Sequence, residues 1–132
     1  METAKSILIV EDEPLLSNLL KQRLEKEGYI VAQAQDGQEA LEKIKEQTPN
    51  LILLDIILPK VSGFEFLEKV RENPQMEEMP VIVISNLGQE SDIQKGQSLG
   101  AVGYFVKAHV SIEDLVGQVK QFLESGGVRQ SV

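Results

Sequence analysis

The stretch Leu51-Ile52-Leu53-Leu54-Asp55-Ile56-Ile57-Leu58-Pro59-Lys60-Val61-Ser62-Gly63 decides the reading of this chain. Its four leading apolar residues leave no polar side for solvent, as expected of a strand covered on both faces, and strands of that kind belong to parallel sheets. The run stops at a carboxylate, Asp55, and the chain then turns through Pro59 and Gly63. A charge is thereby placed where a buried strand meets water. Other apolar runs end in the same manner: Ile7 to Val10 in Glu11 and Asp12, Val81 to Ile84 in Ser85, and Tyr104 to Val106 in Lys107.

Between these runs lie segments of helical period. Pro14 suits a first helical turn, Leu16, Leu20 and Leu24 recur every fourth residue, and Gly28 offers a stop. Tyr29 to Ala34 reads as a second, more polar strand, after which Asp36 is a candidate cap and Ala40, Leu41 and Ile44 an inner face. Phe64, Leu67 and Val70 mark a third helix. The segment from Ser91 to Leu99 is the poorest helix, with Ile93 and Leu99 as its clear anchors and Gly96 in its interior. In the last helix Ser111 is a cap, Leu115, Val119 and Phe122 form the buried stripe, and Gly126 and Gly127 mark the end. About five strand-helix pairs in alternation predict an α/β, doubly wound parallel sheet.

Composition narrows the function. The 132 residues suit one domain, and the hydrophobic share of 42% and charged share of 26% are those of a folded globular protein. With 21 acidic and 13 basic residues the net charge is −8, which argues against direct nucleic-acid binding and against anionic membranes. There is no cysteine, so neither a disulfide framework nor a thiolate metal site is available. No apolar run approaches membrane-spanning length, and the N-terminus lacks signal-peptide character, so a cytoplasmic location without membrane insertion is expected.

Right-handed crossovers bring all C-terminal strand ends of an open parallel sheet to one edge, where ligands bind. Glu11, Asp12, Asp55, Ser85 and Lys107 are therefore expected to be neighbours. Clustered carboxylates resist ionisation unless a divalent cation relieves their repulsion, and an all-oxygen set favours magnesium over zinc. With the acids so neutralised, Asp55 could attack phosphorus in line and form an acyl phosphate. Lys107 and Ser85 would then meet the phosphoryl oxygens.

In these residues the chain resembles the receiver domain of bacterial two-component response regulators, of the single-domain, chemotaxis-receiver kind. The resemblance spans nearly the whole length. It rests on Val10-Glu11-Asp12-Glu13-Pro14, on Leu53 to Gly63 around Asp55, on Val83-Ile84-Ser85 and on Gly103-Tyr104-Phe105-Val106-Lys107. It implies a flavodoxin-like five-stranded sheet in the order 2-1-3-4-5 with five helices, an order shared by flavodoxin and chemotaxis receivers. One domain over 1–132 is implied, with its core at about 5–125 and a short flexible C-terminal tail. By the same resemblance Asp55 is the phosphoacceptor and Asp12 a direct magnesium ligand. Glu11 is a ligand acting mainly through water, and Ile57 one acting through its backbone carbonyl. Ser85 and Tyr104 form a switch pair in which the hydroxyl moves to the phosphoryl group and the ring turns inward. The phosphate comes from a histidine kinase or phosphotransfer protein, and a downstream target protein reads the surface of the fourth helix, fifth strand and fifth helix.

One departure from the family pattern, one pair of apolar side chains and two rival functions bear on this resemblance. Ala108 stands where the family usually has proline, often after a cis bond. A non-proline cis bond costs about 3 kcal/mol, so either the local structure enforces it or the bond is trans and Lys107 approaches differently. Ile57 and Leu87, two positions beyond Asp55 and Ser85, place apolar side chains on the route of water to an acyl phosphate. An aspartyl phosphohydrolase shares the residue types but needs a second acid two residues after its nucleophile, where this chain has Ile57, so no enzyme activity is expected. A degenerate receiver, binding a partner without being phosphorylated, is the other alternative.

Overall fold

A computed structural model describes residues 4–125. The chain runs β1 (Ser6–Val10), α1 (Pro14–Lys26), β2 (Ile30–Ala34), α2 (Gly37–Glu46), β3 (Leu51–Leu54), α3 (Gly63–Glu72), β4 (Val81–Ser85), α4 (Glu90–Ser98) and β5 (Gly103–Val106). A 3-10 turn at Lys107–His109 then leads into α5 (Ile112–Glu124). All neighbouring strands pair in parallel, in the order β2-β1-β3-β4-β5. The five-stranded flavodoxin-like sheet expected from the sequence is therefore present, with its five helices. The ending of the last helix at Gly126 and Gly127, and the flexible tail, lie outside the described residues.

The alternation of side chains along each strand builds two cores, one on each face of the sheet. Leu8, Val10, Ile52, Leu54, Val81 and Val83 point to one face, where α2 supplies Ala40 and Ile44 and α3 supplies Phe66, Leu67 and Val70. Ile7, Ile9, Leu51, Leu53, Ile82 and Ile84 point to the other, against Leu20 and Leu24 of α1 and Leu115, Val119 and Phe122 of α5. β3 is buried at every position because it is central and covered twice. β2 is the more polar strand, as its sequence suggests, because it pairs only with β1.

Side-chain caps start three of the helices. Asp36 accepts from the Glu39 N–H at 2.8 Å, Ser62 from Glu65 at 3.2 Å and Ser111 from Asp114 at 3.0 Å. At Gly28 the backbone takes φ +94°, which lets the chain reverse after α1 into β2. Arg71, at the end of α3, donates to the carbonyls of Glu77, Met79, Leu99 and Gly100 and so ties the entry of β5 to the body of the domain. Among the described residues, no helix is long and apolar enough to cross a membrane.

Candidate phosphoryl and metal site

Parallel register fixes the site from the backbone upward. Val10 pairs with Leu54, so the next residues, Glu11 and Asp55, leave the sheet side by side, and the Asp55 N–H donates to the Val10 carbonyl at 2.9 Å. Ser85 pairs with Val106, one residue before Lys107. Four strand ends thus deliver two acids, a hydroxyl and an amine to one edge. Gly63 lets the chain after β3 fold back tightly: a Cβ there would lie 2.4 Å from the Asp55 carbonyl oxygen and 2.5 Å from the Ile56 Cα. Its N–H donates to the Ile56 carbonyl at 2.8 Å.

The charged groups meet at Lys107. Its ammonium lies 2.9 Å from Asp55 Oδ2, 2.7 Å from Glu11 Oε1 and 3.6 Å from Glu13 Oε2. It reaches all three with no cis peptide bond among the described residues, so of the two possibilities left by Ala108 the trans bond is the one adopted. Asp55 is only 3% exposed; its other oxygen, Oδ1, accepts from the Ile57 N–H at 3.2 Å. Glu11 is almost wholly enclosed, and its Oε2 accepts from the Glu13 N–H at 3.1 Å. Asp12, in contrast, is exposed.

Burial, opposed by the Lys107 contact and reinforced by the Asp55 charge, pushes the Glu11 carboxyl up to about 7. Burial also disfavours the Lys107 ammonium, but Glu11 and Asp55 together outweigh it and push Lys107 up to about 12. The lysine therefore stays charged at any physiological pH. One ammonium does not neutralise Glu11, Asp12 and Asp55, whose carboxylate oxygens come within 4.8 Å of one another. Glu11 Oε1 contacts Lys107 without hydrogen-bond geometry and is, among the described residues, the buried side-chain polar atom that lacks such a bond. Three clustered carboxylates against one ammonium leave an excess of hard oxygen donors, which fits a divalent cation of the magnesium class.

The two residues read as a switch pair converge on a third. Ser85 Oγ accepts from the Leu87 N–H at 3.2 Å, and the Tyr104 hydroxyl donates to the Leu87 carbonyl at 2.6 Å. The ring is turned inward and only 4% exposed. Burial, then the charges of Asp92 and Asp55, raise the ionisation of its phenol above the ordinary range, so it remains a donor.

Sequence reasoning missed the part of Glu13 in the Lys107 contacts, although the run Glu11-Asp12-Glu13 held the signal. It also missed the Leu87 backbone as the link between Ser85 and Tyr104. Main-chain groups leave no trace in residue identity.

Comparison with known proteins shows the family and the fold. The family described as the response regulator receiver domain matches residues 7–120. The chain is 40% identical over 117 residues to the phosphate regulon transcriptional regulatory protein PhoB of Rhizobium meliloti, covering 89% of this chain and 51% of that protein. It thus spans about half the length of the curated relatives it matches. The CheY-like response regulator receiver domain protein of Methanospirillum hungatei superposes with a TM-score of 0.85 at 34% identity, over 93% of this chain and 96% of that one. The phosphorylated cyanobacterial phytochrome response regulator RcpA superposes with a TM-score of 0.83 at 28% identity, over 98% of this chain and 100% of its own.

Proposed function

The chain belongs to the response regulator receiver domains, signalling switches that work by phosphorylation, and we propose that Asp55 is where this one receives its phosphoryl group. The observation that carries the assignment is a nearly buried carboxylate at the open strand edge, held between the Lys107 ammonium and the Ile57 N–H inside an acidic cluster. An Asp55 oxygen attacks the phosphorus of a phosphohistidine on a kinase or phosphotransfer protein. The O–P bond forms as the P–N bond breaks, and the histidine nitrogen leaves with the electron pair.

A bound magnesium ion would supply charge neutralisation for the phosphoryl oxygens, held by Asp12 and Asp55, by Glu11 mainly through water and by the Ile57 carbonyl. Lys107 offers its charge to a phosphoryl oxygen on Asp55, and the Ser85 hydroxyl turns from the Leu87 N–H to another. That exchange releases the Leu87 N–H, and the Leu87 carbonyl, on the far side of the same Cα, holds Tyr104. The change is thereby passed to α4, β5 and α5, the surface a downstream target protein reads. The phosphohydrolase alternative lacks its acid, because Ile57 cannot donate a proton. A cytoplasmic location and a single receiver domain over 1–132 accompany this reading.

Intact mass after incubation with a small acyl phosphate and magnesium tests it. One added phosphoryl group is expected in the wild type and none in Asp55→Asn. Labelling that persists in the variant would remove Asp55 from the role, and an unlabelled wild type would favour the phosphorylation-independent binding module.

A further inference from the structure

α4 carries a glycine in its middle, where helices disfavour one, and that glycine is the buried residue of the helix. Gly96 does not take a left-handed φ, so backbone freedom is not what the position requires. Space is. A Cβ on Gly96 would lie 2.9 Å from Cδ2 of the Tyr104 ring, closer than packed atoms approach, and a tight 3.2 Å from Cε2. The ring has little freedom to yield, because its Cα is held in β5 opposite Val83 and its hydroxyl is held by the Leu87 carbonyl at 2.6 Å.

We propose that Gly96 is the positioning residue that seats the Tyr104 ring in its inward state, and that the seated ring is what docks α4 on the sheet. The remaining attachments of α4 are slight. Ile93 and Leu99 are partly buried against the same cluster, and the Lys95 ammonium lies 4.5 Å from the centroid of the Phe64 ring. Filling the seat forces the ring outward or lifts the helix, and both expose the phenol. Gly117 of α5 supplies the control: a Cβ there meets nothing within 4 Å, so Gly117→Ala reports helix propensity alone.

The inference deepens the reading of Tyr104 as the switch ring, but it is tested in unphosphorylated protein. The chain has no tryptophan and two tyrosines, so Tyr29→Phe leaves Tyr104 as the sole strong emitter. In that background acrylamide quenching of Tyr104 should be weak, should rise several-fold in Gly96→Ala and should not change in Gly117→Ala. The melting temperature should fall in Gly96→Ala and rise by a few degrees in Gly117→Ala. In a Tyr104→Val background, Gly96→Ala should instead raise the melting temperature as Gly117→Ala does. Unchanged quenching in Gly96→Ala, or an equal loss of melting temperature with and without the Tyr104 ring, would overturn the proposal. Should Gly96→Ala alone not fold, the Tyr104→Val pair still decides it. Failure of Asp55 to take up phosphate would sink the switch reading and leave the quenching result standing.

Discussion

Lys107 Nζ lies 2.9 Å from Asp55 Oδ2 across 52 residues of sequence, and the same ammonium lies 2.7 Å from Glu11 Oε1. One cation therefore holds together two buried acids that would otherwise repel each other. Lys107→Met leaves those carboxylates unpaired and should destabilise the metal-free protein by about 3 kcal/mol. Magnesium should restore much of the loss, because it supplies the missing positive charge. Urea unfolding with and without magnesium measures both, and a variant as stable as wild type in chelator would remove this part from Lys107.

The turn after Asp55 should be equally sensitive for a steric reason. Gly63→Ala puts a Cβ 2.4 Å from the Asp55 carbonyl oxygen, where backbone rather than a flexible side chain must give way. A loss of about 2 kcal/mol or more is expected, with weaker magnesium binding because the shift displaces Asp55 itself. Thermal unfolding and magnesium titration by tyrosine fluorescence report the two effects. Normal values in both would show that the turn relaxes freely.

Tyr104 should ionise above the ordinary tyrosine value of 10.0, through burial first and then through Asp92 and Asp55. The folded state then keeps a proton that the unfolded chain gives up, so the share of stability owed to this group falls as pH rises from about 10 through the higher folded value. Ultraviolet titration of Tyr29→Phe protein follows the phenol directly. Asp92→Asn should move its ionisation downward; ionisation at or below 10.0 in the parent would contradict the buried placement.

Exclusion of water from the proposed acyl phosphate is assigned to Ile57 and Leu87. Ile57 is exposed and apolar, whereas Leu87 is half-buried against the core. The double variant Ile57→Asn, Leu87→Glu offers polar groups that can hold an attacking water, and it should lose phosphate several-fold faster than wild type. Decay followed by intact mass is the measurement, and equal or slower loss in the variant would exclude the role.

Much of this was legible because period and punctuation are local. Continuous apolar runs marked β3 and β4 as covered strands, fourfold spacing marked α1, and Asp36 and Ser111 cap the helices they were expected to cap. The acids, the hydroxyl and the lysine could be placed together because parallel strands with right-handed crossovers must end on one edge. Even α4, poor in apolar residues, was readable as a helix.

By itself the sequence determined the alternation of strand and helix, and through it which residues share the strand edge that carries Asp55. Tertiary structure alone decided that Lys107 reaches Asp55 over a trans bond, that Leu87 joins Ser85 to Tyr104 through its N–H and its carbonyl, and that Gly96 gives way to a ring. The physical reason is one of range. Periodicity and caps act within a few residues, whereas backbone hydrogen bonds between loops and the volume left by an absent Cβ exist only once distant segments have packed.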